Sequence, residues 1–289
     1  MAILGPDLFA IARAAASPIV SASHLSPLVS PEWSRAAFRI DYADGTVVKG
    51  RRFESDEAAD RFVALSRLSR LSCLDALPRV LAHHGCAVLV EWTHGVCVST
   101  LREVPRSLAA RAGATLRALH DVPIDRAPWA DAPSAHPGAA WRSALVGRIE
   151  RLRRAGAISN AEGAELDRAA AANVPPRRPT CIVLGDVAAE NMVVDDDGHL
   201  HMIDTDGLQL HVPEFDIART WYRWPLTRTQ WQAFEDGYDS TETFRSWQDH
   251  FVYWTIVVLT AAADFRLRHG LRGVQPPLDH LRKTVALNG

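Results

Sequence analysis

Three polar residues with a characteristic spacing constrain the fold of this chain more than any other feature. Asp186 is followed by Asn191 five positions later, and Asp204 places a second carboxylate thirteen residues after that asparagine. Between them, residues 192–203 comprise an apolar run, an acidic turn ending in glycine and an alternating polar and apolar segment, which together predict a short hairpin. Loops at the same end of one hairpin would bring the three side chains together.

These three groups suit phosphoryl transfer. Asp186 can orient and deprotonate an attacking hydroxyl, while Asn191 and Asp204 can hold Mg²⁺ against phosphates. Asp206, which precedes a glycine, is an alternative metal ligand, although the spacing favours Asp204. Acidic residues are also common in ordinary solvated turns, so the whole constellation carries the prediction rather than any single residue.

The segment 181–219 resembles the signature region of the aminoglycoside phosphotransferase and choline kinase family, small-molecule relatives of the protein kinases. In that family a buried strand leads into a His-Gly-Asp loop, followed by an asparagine, an Ile-Asp pair and an Asp-Leu-Ala sequence that opens a helix. The last element here is Asp216-Ile217-Ala218, and Leu184 replaces the family histidine. The sequence of residues 203–206 is also similar to the corresponding segment of lipopolysaccharide sugar kinases.

The resemblance implies an α+β, bilobal protein kinase-like fold. A small N-terminal antiparallel-sheet lobe with one helix, residues 1–93, would bind the nucleotide, and a larger, mainly helical lobe, residues 94–289, would provide catalysis and acceptor binding. Apolar periodicity and capping signals predict where the helices of these lobes begin and end. Helices are predicted over 55–71, 108–120, 141–154, 161–172, 215–224, 227–238, 241–268 and 277–286.

Lys49 is a candidate phosphate ligand. Only two of the 32 basic residues are lysines, and Lys49 ends a predicted strand that follows a favoured Asp44-Gly45 hairpin turn. The resemblance implies that this lysine reaches the α- and β-phosphates, where a compact point charge is suited to the task. On the same basis, Glu57 on the following helix is the first choice to pair with Lys49, and Asp60 is the second.

The rest of the nucleotide site is implied less specifically. Residues 28–35 occupy the place of a phosphate-covering turn but contain no glycine, so Ser34 or Ser30 would supply the donor. An apolar strand leads to Glu91 and Trp92, which resemble a hinge whose backbone binds the adenine edge. Asp216 would brace the catalytic loop or contact the acceptor.

The resemblance implies ATP, or GTP in its place, and Mg²⁺ as cofactors. It implies a small-molecule hydroxyl acceptor such as an aminoglycoside, an amino-sugar or an amino alcohol. The net charge of −2 gives no basic field for a nucleic-acid partner. The apolar segment 251–265 is too short to span a membrane, and the four cysteines form no close-spaced pair, which favours a cytoplasmic location. The oligomeric state is left open.

Two alternatives stay open at this point. A pseudokinase or nucleotide-binding regulatory module is suggested by Leu184 and by the glycine-free turn, whereas the retained Lys49 and Asp186 argue against it. A kinase of lipopolysaccharide sugars or of proteins would need a basic surface patch. Its candidates are Arg219, Arg223 and Arg228.

Overall fold

The computed structural model describes residues 2–15, 17–25, 36–71, 75–125 and 142–285, which form two compact units. The first unit comprises Met1–Val104, Val122–Pro128 and Ala189–Gln209, and the second comprises Pro105–Asp121, Trp129–Ala188 and Leu210–Gly289. These units do not follow a single division of the chain at residue 93, because the segment Ala189–Gln209 groups with the N-terminal sheet.

The first unit contains a five-stranded sheet in the order β1-β2-β3-β5-β4, with all neighbours antiparallel. Its strands are β1 (Ile19–His24), β2 (Ala37–Tyr42), β3 (Val47–Arg52), β4 (Val80–His84) and β5 (Ala87–Glu91). The predicted Asp44-Gly45 turn closes the β2–β3 hairpin, where the Tyr42 amide donates to the Thr46 carbonyl at 2.8 Å. Lys49 does not end its strand as predicted, because pairing with β2 and β5 continues to Arg52.

Two helices pack in the described part of this unit, where the sequence patterns predicted one. The additional helix is α1 (Pro6–Arg13), whose Leu8 and Ala12 are buried in one cluster with residues of β2, β3 and β5. The Tyr42 hydroxyl also donates to the Ala12 carbonyl at 2.9 Å. The predicted helix is α2 (Asp56–Leu71), which buries Phe62 and Leu65.

The predicted hairpin that follows the Asp186 loop is present. After a 3₁₀ turn over Ala189–Asn191, β8 (Met192–Val194) pairs with β9 (Leu200–Met202), and β6 (Val96–Cys97) pairs with the other edge of β8. Asp195 closes the turn by accepting from the His199 amide at 2.7 Å and contacting the His201 ring at 2.8 Å. These hydrogen bonds hold the pKa of Asp195 down at about 2.

The second unit is mainly helical. Its only strands within the described residues are β7 (Cys181–Val183) and β10 (Gln209–His211), which pair with each other. Its helices are α3 (Arg106–His120), α4 (Arg142–Arg154), α5 (Asn160–Ala172), α6 (Glu214–Arg223), α7 (Arg228–Tyr238), α8 (Thr241–Asp249), α9 (Phe251–Arg268) and α10 (Gln275–Val285). The α+β class predicted from the sequence is confirmed.

One helix prediction is wrong. The single helix expected over 241–268 is two helices, α8 and α9, because His250 leaves the helical region at φ −114° and ψ 28°. The His250 ring contacts the Asn173 carbonyl at 3.0 Å instead. No glycine or proline marks this break in the sequence. Neither α9 nor any other helix among the described residues is long and apolar enough to cross a membrane.

Helices α3 and α7 cross closely enough to require glycine on both. A Cβ at Gly113 would overlap the Phe234 carbonyl, and one at Gly237 would overlap the Ala110 carbonyl. Both obstacles are backbone atoms, which cannot rotate away. The crossing positions His120 at the end of α3 beside Tyr238 at the end of α7, with the His120 Nδ1 2.7 Å from the Tyr238 hydroxyl.

We expect Gly237→Ala to lower the free energy of unfolding by about 1–3 kcal/mol, because the added methyl group overpacks the crossing. Gly147→Ala is the matched control: Gly147 also lies inside a helix, but its added Cβ would meet only a side-chain nitrogen of Arg151, at 3.5 Å. The control should be neutral or stabilising by roughly 0.5–1 kcal/mol. Thermal denaturation of both variants measures the difference, and equal midpoints would contradict the crossing geometry.

Candidate active site

A cavity in the first unit gathers most of the predicted nucleotide residues. Its volume of about 210 Å³ is below the usual range for whole-ligand pockets, so it suits one part of a nucleotide. The lining combines a cation, an amide and two carboxylates with apolar and aromatic groups. The residues are Leu25, Lys49, Pro78, Glu91, Trp92, Thr93, Asn191, Ile203 and Asp204.

Lys49 points into this cavity with only 15% of its side chain exposed. Its Nζ donates to the Ile203 carbonyl at 3.2 Å and to Asp204 Oδ1 at 3.4 Å, and it lies 4.0 Å from Asp206. Burial lowers the pKa of Lys49 to about 8, and the neighbouring Arg51 charge acts in the same direction. Asp204 opposes this shift because a nearby negative charge favours the protonated amine.

Arg51 is a site residue that the sequence reasoning missed. It is two residues after Lys49 on β3, so both side chains are on the same face of the sheet, and this period of two was the available signal. The Arg51 side chain is 1% exposed, forms an ion pair with Asp206 and lies 3.6 Å from Asp204. Its guanidinium also lies over the rings of Phe53 and Phe62.

The two rival carboxylates, Asp204 and Asp206, occupy different environments. Asp206 is paired with the buried Arg51, whereas Asp204 is 42% exposed and lines the cavity together with Asn191. This difference favours Asp204 over Asp206 as the metal ligand. The role that it favours for Asp206 is support, through the ion pair with Arg51. The carboxylate of Asp204 and the amide oxygen of Asn191 also suit Mg²⁺, which is commonly bound by one or two protein oxygens plus substrate phosphates.

The expected pairing of Lys49 with Glu57 is not present. Glu57 is 83% exposed and accepts from Arg61 at 2.7 Å within the same helix. The second choice, Asp60, is exposed and lies 3.5 Å from His83. Asp204 and Asp206 take the place of a helix acid beside the lysine, because β3 directs the Lys49 side chain toward the segment that follows β9.

Of the remaining residues that were predicted to bind the nucleotide, two lie within the described part of the chain and two do not. Glu91 and Trp92 line the cavity; the Glu91 amide donates to the Arg79 carbonyl at 2.8 Å, and the Arg39 guanidinium lies 5.0 Å from the Trp92 ring centroid. Ser30 and Ser34 lie outside the described residues.

In the second unit, Asp186 is held by two arginines. Arg219 Nη2 donates to Asp186 Oδ1 at 2.7 Å and its Nε donates to the Gly185 carbonyl at 2.9 Å. Arg223 Nε lies 3.2 Å from the same Asp186 oxygen. Arg219 and Arg223 are one turn apart on α6, so both guanidiniums are presented from one helix face. They engage a site residue instead of forming the surface patch considered from the sequence.

Asp216 supports the loop that carries Asp186. Its carboxylate is fully buried at the start of α6 and accepts from the backbone amides of Leu184 and Gly185, both at 2.7 Å. Of the two roles considered for Asp216, this geometry supports bracing of the loop. The Leu184 side chain is 1% exposed, so the residue that replaces the family histidine packs in the core.

A buried histidine extends this support. His120 Nε2 lies 3.2 Å from Asp216, and its Nδ1 lies 2.7 Å from the Tyr238 hydroxyl. All three groups are satisfied when the tyrosine hydroxyl donates to Nδ1 and Nε2–H donates to the carboxylate. Burial raises the pKa of Tyr238, which keeps the hydroxyl available as a donor.

We expect Asp216→Asn to loosen the loop before Asp186, because an amide retains only one acceptor oxygen for two backbone donors. Losing one charge-assisted hydrogen bond of about 1.5–3 kcal/mol predicts at least tenfold faster amide hydrogen exchange at Leu184 and Gly185. Asp236→Asn on the exposed face of α7 is the control. Unchanged exchange in Asp216→Asn would show that the carboxylate does not hold the loop.

Comparisons with known proteins concern the fold and the family of this chain. Among solved structures, the AMP-bound complex of a spectinomycin phosphotransferase has a TM-score of 0.66 at 13% identity, covering 98% of this chain and 95% of its own. The GDP and kanamycin complex of APH(2")-IIia has a TM-score of 0.66 at 12% identity, with 96% and 97% covered. An ethanolamine kinase from Plasmodium vivax has 0.63 at 9%, with 92% and 82% covered.

These likenesses confirm the kinase-like fold predicted from the sequence. No curated protein sequence matches the chain. The sequence profile of the phosphotransferase enzyme family, however, matches residues 27–250, which is more than half of the chain and contains Lys49, Asp186 and Asp204. The chain therefore belongs to the phosphotransferase enzyme family.

Proposed function

We propose that this phosphotransferase moves the γ-phosphoryl group of ATP to a hydroxyl group of a small molecule. The observation that carries the proposal is the cavity in the first unit. It is lined by Lys49, Asn191 and Asp204 and by the predicted hinge residues Glu91 and Trp92. A buried lysine beside carboxylate and amide oxygens is the group set that phosphoryl transfer needs at the nucleotide. The names of two similar structures include AMP and GDP, which supports use of a nucleotide.

The proposed reaction is a direct displacement at phosphorus. The acceptor oxygen forms a bond to the γ-phosphorus, the bond from that phosphorus to the bridging oxygen of ADP breaks, and the acceptor proton passes to Asp186. Because the transition state is loose, Asp186 positions the hydroxyl more than it activates it. Its hydrogen bond from Arg219 restricts the orientation of the carboxylate, as that task requires.

Magnesium is part of this proposal. Asn191 and Asp204 would hold it, and when bound it would neutralise charge on the phosphates. Lys49 would contribute a further positive charge at the α- and β-phosphates. Its present partners, Asp204 and the Ile203 carbonyl, keep the ammonium group in the cavity.

The acceptor implied by the resemblance is an aminoglycoside, an amino-sugar or an amino alcohol. Related structures include proteins named for spectinomycin and ethanolamine, which supports a small hydroxylated acceptor but not one class. A pseudokinase is disfavoured because Lys49, Asn191 and Asp204 line one cavity. A kinase of lipopolysaccharide sugars or proteins loses its supporting feature, since Arg219 and Arg223 contact Asp186.

The proposed function is tested by Asp204→Ala with Asp206→Ala as its counterpart. We expect Asp204→Ala to abolish turnover and the Mg²⁺-dependent rise in thermal midpoint with ATP, while the midpoint without ligand stays near that of the parent. Asp206→Ala instead removes a partner of the buried Arg51, which predicts a loss of about 3–5 kcal/mol in unfolding free energy. Wild-type turnover in Asp204→Ala would refute the assignment.

The pH dependence of ATP binding tests the part assigned to Lys49. Its pKa of about 8 means that the free protein carries the ammonium charge below pH 8 and loses it as the pH rises. We therefore expect the dissociation constant of ATP to increase about tenfold between pH 8 and pH 9–9.5, as the protonated fraction falls. Lys49→Arg keeps its charge throughout this interval and should show a flat profile by calorimetry. A flat profile in the parent would contradict the assignment.

A further inference from the structure

Five arginines on three packed helices of the second unit form a basic face, and two of them contact Asp186. It is formed by Arg148 and Arg151 on α4, Arg219 and Arg223 on α6, and Arg268 on α9. Helix α9 packs against both α4 and α6, which brings the three helices together. We call this set the arginine face.

Two carboxylates of the described residues, Asp264 and Asp186, pair with arginines of this face. Asp264, which is 1% exposed, accepts from Arg151 Nε at 2.8 Å and from Arg151 Nη2 at 3.0 Å. Its second oxygen also accepts from Arg268 at 3.0 Å. Asp186 is engaged by Arg219 and Arg223. Among the described residues, Asp264 thus pairs with Arg151 and Arg268, and Asp186 pairs with Arg219 and Arg223.

Arg148 differs from the other four arginines of this face, because it pairs with neither Asp186 nor Asp264. Within the described part of the chain, Arg148 forms no hydrogen bond or ion pair, although it is half-buried. Burial lowers the pKa of Arg148, the charges of Arg151, Arg219 and Arg268 act in the same direction, and only Asp264 opposes them. A desolvated guanidinium among like charges is stabilised by an anion that binds between them.

We propose that the arginine face binds an anionic group of the acceptor, so that the substrate is a small hydroxylated molecule carrying a carboxylate or a phosphate. This inference rests on the proposed function, in which Asp186 takes the proton of the acceptor hydroxyl.

This class differs from the cationic acceptors implied by the family resemblance. An ammonium group placed beside Asp186 would meet the arginines that already neutralise that carboxylate, and like charges would repel it. A planar guanidinium fork instead matches the two oxygens of a carboxylate or phosphate. The arginine face therefore selects for negative charge on the acceptor and against positive charge.

Matched acceptors that differ in charge test the proposal with the full chain and MgATP. Glucose is neutral, glucosamine is cationic, and gluconate and glucose 6-phosphate carry a carboxylate and a phosphate. We expect the anionic compounds to have kcat/KM values at least tenfold above those of glucose and glucosamine, with KM rising as salt is added. The gluconate and glucose 6-phosphate arms distinguish the two sources of negative charge.

Binding is measured separately by calorimetry on the nucleotide-free protein with gluconate, glucose 6-phosphate and inorganic phosphate. Arg148→Gln should weaken binding of the preferred anion at least tenfold while leaving the affinity for ATP unchanged, and Arg148→Lys should restore part of it. Arg154→Gln is the matched control, because Arg154 lies on the same helix, is 76% exposed and pairs with Glu150. This control should bind the anions as the parent does.

The outcomes separate this inference from the proposed function. Phosphorylation of glucosamine without Arg148-dependent binding of any anion would overturn the anionic acceptor and leave the phosphotransferase proposal intact. Arg148-dependent anion binding without ATP binding would support the arginine face and overturn the proposed function. Absence of binding by all three anions would overturn the arginine face as an anion site.

Discussion

The buried carboxylate of Asp216 is the interaction on which the loop that carries Asp186 depends. The backbone amides of this loop at Leu184 and Gly185 are satisfied by Asp216, which accepts from both of them. Burying this carboxylate is tolerable because His120 and the two amides supply polar partners. The close crossing of α3 and α7 sets His120 beside Tyr238, so the packing of two helices determines the support of a loop.

A second group of charges organises the cavity of the first unit. Lys49 and Arg51 extend from the same face of β3 toward Asp204 and Asp206, and the burial of these two cations makes each of them dependent on its carboxylate partners. Arg51 neutralises Asp206, which leaves Asp204 and Lys49 at the cavity wall. The depressed pKa of Lys49 reflects the same balance, since burial and Arg51 disfavour its charge while Asp204 favours it.

The sequence was most informative where local chemistry decides structure. The hairpin between Asn191 and Asp204 and the Asp44-Gly45 turn were predictable because turn residues and alternating polarity act over a few positions. The family resemblance could be recognised from the sequence because its motif lies in one continuous segment, residues 181–219. The break at His250 was missed because neither a glycine nor a proline marks it. Helix α1 was missed although Gly5 and Pro6 stand at its start, where proline at the first helical position is a recognised signal. Glu57 was chosen as the partner of Lys49 by analogy, whereas its neighbour on the helix, Arg61, takes its carboxylate.

The sequence by itself determined the kind of chemistry, because phosphoryl transfer depends on residue types at fixed spacings, and the predicted site residues Lys49, Asp186, Asn191 and Asp204 were chosen without coordinates. Tertiary structure decided which charge pairs with which. Arg51 with Asp206, Asp216 with the backbone at Leu184, and Arg219 and Arg223 with Asp186 are each brought together from segments distant in the chain. Electrostatic interaction depends on distance and burial rather than on sequence order. The proposed charge preference for the acceptor was therefore legible only once α4, α6 and α9 were packed together.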